Sequence, residues 1–275
     1  MREPAANISI ITTCKGRLGH LRQTLPAMLA QPGVEVIVVD YDCSDGTAGW
    51  VKREHPAIIV VKVEDRPQFN ISIARNLGAA AASGEWLCFM DADVLPDPEF
   101  CSQLAPMLEA GHFYTISRFV PELCGTCVMP REAYRRAGGY DEVMEPWSFE
   151  DTDMYVRLQE MGLVHSHFPT SLLTAIAHDD ASRVQFTDGG DRWQTMRRNA
   201  FYHHAKLLVA RALGAPLDED RRRQLYAEIK RLIAGAPDRS EITVRLPDIP
   251  QDKVAPGRRI EASIVVALQR DDLPR

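Results

Sequence analysis

The sequence lacks several features that would indicate a membrane protein or a nucleic-acid-binding protein. None of its apolar runs approaches the roughly 20 residues that a helix needs to span a bilayer. Its start has no basic segment followed by an apolar stretch, so no secretion signal is predicted. The net charge of −6 argues against a protein that binds nucleic acid through a basic face. We therefore expect a soluble, cytoplasmic protein with no transmembrane segment and no nucleic-acid partner.

Cysteine is also scarce. The chain of 275 residues has 6 cysteines, and only Cys124 and Cys127 have the spacing of a zinc or redox pair. A structural zinc site would need a second such pair, which the sequence does not contain. In a chain of this size without a secretion signal, we expect reduced thiols that lie in the core.

The first half of the chain alternates between strand and helix patterns. The predicted strands are NISIITT (7–13), VEVIVVD (34–40), AIIVVKV (57–63) and EWLCFMD (85–91). Helical patterns at 18–31 and 70–84 lie between strands. Because strands that are apolar on both faces belong to mostly parallel sheets covered by helices, the sequence predicts an α/β fold.

The character of the chain changes near residue 185. Two long helical patterns follow, joined at residues 214–216, and the remaining sequence contains two alternating strands near 242–246 and 260–268. We expect a first domain at 1–185. We also expect a C-terminal extension at 186–275 that packs on this domain or joins two copies as a homodimer.

Three acidic residues lie at or just after the ends of predicted strands, at the edge where α/β sheets bind ligands. Asp91 ends the fourth strand and Asp93 follows it, in a segment where Asp97 is placed to cap a helix before Pro98. The pair either belongs to this capping loop or binds a divalent cation, and hard oxygen ligands suit Mg²⁺ or Mn²⁺. We favour the metal. Asp40 ends the second strand and either shapes a polar turn or accepts hydrogen bonds from a nucleoside.

Arg75 and His178 each have two interpretations. Arg75 lies on a helix near the same edge, either as a solvated cation or as a phosphate ligand with forked donors. His178 ends an apolar run and is either a structural residue or a further ligand of a metal on Asp93.

The segment EPWSFEDTD contains a second group of acids. Glu150, Asp151 and Asp153 lie in the first turn of a predicted helix, where the helix dipole favours negative charge. Trp147 precedes them. An aromatic ring beside carboxylates can hold a sugar, and a carboxylate can deprotonate a bound hydroxyl.

In this order, the motifs resemble the GT-A glycosyltransferases, particularly family 2. The matching segments are ISIITTCKGRLGHLRQTL, VIVVDYDCSDGT, ISIARNLGAAAASGEWLCFMDADVLPDP, GTCVMPREAYRRAGGYDE and WSFEDTDMYVRLQEMG. They run from about residue 7 to about residue 180. The last segment is also similar to the W-G-x-E-D-x-D signature of metal-dependent galactosyl- and N-acetylgalactosaminyltransferases. The resemblance implies the Rossmann-like fold of nucleotide-diphospho-sugar transferases.

The resemblance also implies a role for each residue on the donor side. Thr12, Thr13 and Arg17 would line the nucleotide pocket, and Asp40 would contact the base. Arg75 would approach the diphosphate or the donor sugar.

The remaining roles concern the metal and the acceptor. Asp91 and Asp93 would form the D-x-D pair around Ala92, which would lie against the donor. Asp93 would bind the metal directly, with Asp91 nearer the ribose and the metal's waters. His178 would be a further metal ligand.

The resemblance assigns the acceptor side to the last matching segment. Asp151 would be the general base, and Glu150 would orient the acceptor or the donor sugar. Trp147 would contact the sugar.

The chain departs from the family pattern at Tyr41, where members commonly have a second Asp. Asp42-Cys43 also replaces Gly-Ser, and both changes bear on recognition of the base. We predict a metal-dependent hexosyl- or N-acetylhexosaminyltransferase that uses Mn²⁺ or Mg²⁺, a UDP-sugar donor and a hydroxyl acceptor, with inversion. The alternatives are a sugar nucleotidyltransferase, a non-catalytic subunit that binds nucleotide sugars, and transfer with retention.

Overall fold

The computed structural model describes residues 7–145, 148–176, 192–235, 240–245 and 263–268. Trp147 and His178 lie outside the described residues. The chain divides into two compact units. The first consists of Met1–Asp141 and Asp151–Gly189, and the second of Glu142–Glu150 and Gly190–Arg275.

A seven-stranded sheet forms the centre of the first unit, as far as the described residues go. The strands of the chain up to residue 176 are β1 (Ile8–Cys14), β2 (Val34–Tyr41), β3 (Ile59–Val63), β4 (Trp86–Phe89), β5 (Val94–Pro96), β6 (His112–Ile116), β7 (Cys127–Pro130), β8 (Val164–Phe168) and β9 (Leu173–Ala175). The helices of the same part are α1 (Leu18–Leu29), α2 (Thr47–Glu54), α3 (Ile71–Ala81), α4 (Phe100–Leu104), α5 (Arg131–Arg136) and α6 (Glu150–Glu160). Strands β5 and β9 form a separate pair outside the main sheet.

The main sheet has the strand order β3-β2-β1-β4-β7-β6-β8. Strand β7 runs antiparallel to β4 and β6, and the other neighbours in the sheet are parallel. In register, Cys14 of β1 lies beside Asp40 of β2, and Phe89 of β4 lies beside Ile11. The carboxyl ends of β1, β2 and β4 therefore meet at one edge of the sheet. The predicted mostly parallel sheet with flanking helices is confirmed.

Both faces of the sheet are buried, and successive strand residues pack into different apolar clusters. The first cluster includes Ile10, Val38, Cys88, Leu21, Leu25 and Met28; the second includes Ile11, Val39, Phe89, Ala74 and Tyr140. Helix α1 thus covers one face and helix α3 covers the other. This arrangement explains why the strands are continuous apolar runs instead of alternating ones.

Helix α4 is short. It ends at Leu104 and is followed by a 3₁₀ turn, Ala105–Met107. Pro106 in that turn has no backbone N–H to donate, which favours an end of the α-helix here.

The described part of the second unit contains the predicted helices and strands. They are α7 (Arg192–Leu213), α8 (Glu219–Ala234), β10 (Glu241–Arg245) and β11 (Ser263–Ala267), with the two strands antiparallel. Asp218 caps α8, because its carboxylate accepts a hydrogen bond from the Arg221 N–H at 2.9 Å. The core of this unit includes Val143, Phe201, Tyr202, Ile229, Val244 and Val266.

No helix in the described part of the chain is long and apolar enough to cross a membrane.

Gly78 sets how closely α3 approaches the sheet. A Cβ atom at this position would lie 2.9 Å from the Val39 Cγ2 and would also overlap the Ile11 side chain. Because a packed core resists added volume, we expect Gly78→Ala to lower the free energy of unfolding by about 1–3 kcal/mol. Chemical denaturation followed by far-UV circular dichroism measures this change.

Gly49 in α2 provides the matched control. A Cβ atom at Gly49 would meet nothing within 4 Å. Gly49→Ala should therefore stabilise the protein by about 0.5–1 kcal/mol through helix propensity. Equal effects of the two substitutions would contradict the close packing of α3.

Candidate active site

The end of β1 and the loop that follows it lie at the carboxyl edge of the sheet. Thr12 is fully buried, and its hydroxyl has no hydrogen-bond partner among the described residues. Thr13 is also buried. Lys15 donates hydrogen bonds from Nζ to the backbone oxygens of Asp42 (2.9 Å) and Arg66 (3.2 Å). This lysine, to which the sequence assigned no role, ties the loops after β1, β2 and β3 together.

Asp40 shapes the loop after β2. Its Oδ1 accepts a hydrogen bond from the Cys43 N–H at 2.9 Å, and its Oδ2 accepts one from the Ala48 N–H at 2.7 Å. The carboxylate is buried and satisfies backbone donors at the start of α2. The turn-shaping alternative therefore describes the observed contacts, and contact with a base stays a prediction.

Tyr41, the departure from the family pattern, is a core residue. Its side chain is buried, and its ring meets that of Phe69 edge to face at a centroid distance of 5.2 Å. Adjacent strand residues point to opposite faces of a sheet, so the side chains of Tyr41 and Asp40 lie on opposite faces.

The six cysteines are all free thiols. Cys124 is exposed, whereas Cys127 is buried beside the Tyr140 hydroxyl, with its Sγ at 3.4 Å. Burial raises the pKa of Cys127 to about 12. The two residues of the Cys-x-x-Cys segment thus lie in different environments.

Arg75 on α3 is the centre of the site. Its side chain is almost completely buried, with a relative exposure of 1%. Its Nη1 contacts Asp151 Oδ1 at 2.5 Å, and its Nη2 contacts Asp91 Oδ1 at 3.4 Å. Its Nη2 also donates to the Gly125 backbone oxygen at 3.3 Å, and the guanidinium lies 5.1 Å from the centre of the Tyr140 ring. We call these residues the Arg75 network.

The Arg75 network joins two acidic residues that are distant in sequence. Asp91 follows the end of β4, and Asp151 lies in the first turn of α6. A buried guanidinium is tolerated because carboxylates and a carbonyl oxygen replace the hydration it has lost. Arg suits this position because its planar fork can contact several oxygens at once.

Asn76, the next residue on α3, fixes the ring beneath Arg75. Its side chain donates to the Tyr140 backbone oxygen at 3.0 Å and accepts from the Tyr140 N–H at 2.8 Å. Burial, followed by the nearby Cys127 thiol, raises the pKa of Tyr140 well above its ordinary value. Tyr140 therefore stays neutral and supports Arg75 through the face of its ring.

Asp93 has a different cationic partner. Its Oδ2 lies 2.9 Å from Nη1 of Arg17, which immediately precedes α1. Both side chains are only partly exposed, at 13% for Asp93 and 20% for Arg17. Between the two aspartates, Ala92 is buried, and its backbone oxygen accepts a hydrogen bond from the Thr24 hydroxyl at 2.8 Å.

The carboxylates of Asp91 and Asp93 are compatible with a divalent cation only if other ligands complete its shell. Among the described residues, no group of three or more His, Cys, Asp or Glu side chains is arranged to hold a metal. Mg²⁺ is usually bound through one or two carboxylates together with substrate phosphates and water, so an all-protein cage is not required. Asp93 would supply a hard oxygen ligand at the sheet edge in exchange for its contact with Arg17, and Asp91, whose side chain is 35% exposed, is the second carboxylate at this edge.

Glu150 belongs to the second unit, and its side chain is buried. The two residues before it, Ser148 and Phe149, have positive φ angles of 86° and 68°. This backbone conformation is costly for residues other than glycine. The Asn199 side chain donates a hydrogen bond to the Ser148 backbone oxygen at 3.0 Å and helps to hold this conformation. The roles predicted for Glu150 stay predictions.

The remaining predicted residues lie outside the described part of the chain. Trp147 and His178 are predicted sugar and metal contacts on which the structure gives no information.

Gly125 leaves no space for a side chain. A Cβ atom would lie 2.8 Å from Arg75 Nη2 and 2.8 Å from Asp91 Oδ2. We expect Gly125→Ala to force the ion pair apart and to lower the free energy of unfolding by about 1–3 kcal/mol. Chemical denaturation tests this, with Gly49→Ala as the matched control; stabilisation by both substitutions would contradict the close contact.

The sequence of the chain is similar to that of a described protein family. The sequence profile of the family described as Glycosyl transferase family 2 matches residues 9–162, which is more than half of the chain. No curated protein has a sequence that matches this chain.

Several solved structures have a similar fold. They include the mannosyltransferase PcManGT from Pyrobaculum calidifontis in complex with GDP-Man and Mn²⁺, with a TM-score of 0.55 and 17% sequence identity, covering 83% of this chain and 75% of that chain. S. aureus TarS 1-349 in complex with UDP-GlcNAc has a TM-score of 0.59 and 17% identity, covering 84% and 73%. The catalytic domain of Drosophila beta1,4galactosyltransferase 7 in complex with xylobiose has a TM-score of 0.50 and 18% identity, covering 68% and 76%.

At these identities the structural likeness shows the fold alone, and that fold is GT-A. The family match rests on the sequence and covers β1 through α6. The resemblance seen in the motifs is confirmed, and the chain belongs to glycosyl transferase family 2.

Proposed function

We propose that this protein transfers a hexose or N-acetylhexosamine from a nucleotide-diphosphate sugar to an acceptor hydroxyl, with inversion at the anomeric carbon. Family membership supports the reaction class. The observation that carries the proposal is the contact of one buried guanidinium, Arg75, with both Asp91 and Asp151. It brings a carboxylate of the expected donor side and a carboxylate suited to act as a base into one network.

The donor is proposed to bind at the carboxyl ends of β1, β2 and β4. Thr12, Thr13 and Arg17 follow or end β1, and Asp40 shapes the adjacent loop for the base. We propose UDP as the nucleotide. Solved structures of similar fold differ in their nucleotide, since the TarS complex contains UDP-GlcNAc and the PcManGT complex contains GDP-Man.

Asp93 is proposed to hold Mn²⁺ or Mg²⁺, with Asp91 beside it and His178 as a further ligand. The Mn²⁺ in the PcManGT complex supports this choice of metal. When bound, the cation supplies stabilisation of the negative charge that develops on the departing diphosphate.

Asp151 is proposed to be the general base. Its side chain keeps 20% of its surface exposed, so an acceptor hydroxyl can reach it, while Arg75 fixes its direction. The acceptor oxygen forms a bond to the anomeric carbon as the bond from that carbon to the diphosphate breaks. Asp151 takes the hydroxyl proton. Glu150 and Trp147 are proposed to orient the sugars.

Asp151→Asn tests the base. The substitution preserves the shape of the side chain but removes its ability to accept the proton, so we expect turnover to fall by about 10²–10⁴-fold. Donor binding should change little, because the acceptor proton is not involved in it. Steady-state kinetics and a donor titration by calorimetry measure the two quantities.

Glu99→Gln is the matched control, since it neutralises an exposed carboxylate of the same unit at the start of α4. Its turnover should equal that of the unmodified protein. Full turnover in Asp151→Asn would show that another group takes the proton.

A thermal-shift panel tests the donor and the metal together. We expect a UDP-sugar with Mn²⁺ to raise the melting temperature more than GDP-, ADP- or TDP-sugars, because ligand that binds the folded state stabilises it by mass action, by about 2.7 kcal/mol at 100 times Kd. Asp93→Ala should abolish the metal-dependent part of the shift. An equal shift without metal in both proteins would contradict a metal on Asp93.

Product analysis separates the proposal from its alternatives. Release of a nucleoside diphosphate indicates glycosyl transfer, whereas release of pyrophosphate indicates nucleotidyl transfer. A non-catalytic binding subunit would show the thermal shift without any product.

A further inference from the structure

The two aspartates after β4 are neutralised in different ways. Asp91 faces Arg75, which is 1% exposed and is also held by Asp151, Gly125 and the Tyr140 ring. Asp93 faces Arg17, whose side chain keeps 20% of its surface exposed. Arg75 is therefore enclosed by protein, whereas the Arg17 side chain is partly open to solvent.

Arg17 lies in the loop between β1 and α1. It lies between Gly16, which has a positive φ of 64°, and the first residue of α1. The next residue, Leu18, donates its N–H to Asp45 Oδ2 at 3.0 Å. A second carboxylate, that of Asp45 in the loop after β2, thus lies near the backbone of Arg17.

The contact between Arg17 and Asp93 conflicts with a metal on the same carboxylate. A divalent cation bound to Asp93 would place two like-signed centres beside each other at a partly buried position. Such repulsion is strong where water screens poorly. A diphosphate removes the conflict, because its oxygens give the guanidinium a new partner and give the cation further ligands.

We propose that Arg17 and the divalent cation compete for Asp93, so that Arg17 is an exchangeable counter-ion that keeps metal affinity low until the donor diphosphate arrives. The inference rests on the proposed function, since it assumes that Asp93 is the metal ligand. It adds a coupling: the metal and the nucleotide sugar bind together, and the protein without donor holds little metal.

Titration with Mn²⁺ alone tests this coupling. Free Mn²⁺ is measured by electron paramagnetic resonance at fixed ionic strength, without nucleotide, on the full-length protein. We expect Arg17→Gln to bind Mn²⁺ at least about tenfold more tightly than the unmodified protein, because the competing cation is gone. Arg17→Lys, which keeps the charge, should remain within about threefold of the unmodified protein.

Arg22→Gln is the matched control. It removes one positive charge from α1, from an exposed arginine that lies over the Trp50 ring with its Cζ at 5.5 Å from the centroid. Its Mn²⁺ affinity should stay within about twofold of the unmodified protein, because the charge does not face Asp93. In Arg17→Gln combined with Asp93→Asn, the gain in affinity should disappear.

Repeating the titration with saturating UDP supplies a second readout. The advantage of Arg17→Gln should shrink or reverse, since the unmodified protein then has a diphosphate to accept its guanidinium. Melting temperatures measured in parallel show whether each variant is folded. A variant that unfolds is replaced by Arg17→Met, which has the same expected outcome.

The outcomes are distinct. Mn²⁺ binding that depends on Asp93 but is unchanged or weakened in Arg17→Gln overturns the competition and leaves the metal site standing. An equal gain in Arg17→Gln and Arg22→Gln also overturns it, because net charge alone would then explain the result. Absence of Mn²⁺ binding that depends on Asp93 in every variant, with and without UDP, overturns both the inference and the metal in the proposed function.

Discussion

The site depends on one buried guanidinium. Arg75 contacts two carboxylates that come from separate elements, Asp91 after β4 and Asp151 in α6. The guanidinium itself is almost completely buried, so it depends on these carboxylates to replace the hydration it has lost. Around Arg75, the close approach of Gly125 and the ring of Tyr140 leave little freedom for the side chain.

The carboxylates of Asp91 and Asp93, separated by one residue at a strand end, repel each other. Each is paired with a different arginine. Arg75 faces Asp91 from one side, and Arg17 faces Asp93 from the other. Both pairs lie at the same edge of the sheet, but the Arg75 guanidinium is almost completely buried, whereas the Arg17 side chain keeps 20% of its surface exposed. The two aspartates are thus neutralised in different environments by side chains that are identical in type.

Much of the fold follows from the sequence because local rules decide it. Apolar runs such as that from Ile8 to Thr12 fix the buried strands, and the order of strands and helices places Asp40 and Asp91 at one edge. The partners of these acids could not be predicted in the same way. Arg17 and Asp93 are 76 residues apart, as are Arg75 and Asp151, and such contacts depend on packing that no local pattern encodes.

Other features required the three-dimensional structure for a different reason. Asp40 has the position of a base contact, yet both its oxygens accept backbone hydrogen bonds, and the sequence alone allows either role. The sequence around Gly125 does not predict a close contact, because its neighbours in space are distant in the chain. The tight space around it becomes evident only when Arg75 and Asp91 are in place.

The adjacency of Arg75 and Asn76 on α3 limits where the length of this chain can vary. Arg75 contacts two carboxylates and Asn76 holds the Tyr140 backbone, so one helix, α3, positions both parts of the site. The loops after β3 and β6 carry contacts of their own, since Lys15 holds the Arg66 backbone oxygen and Arg75 holds that of Gly125. Insertions should therefore be tolerated best in exposed segments that contact neither α3 nor Lys15, because only there does the chain change length without moving these side chains.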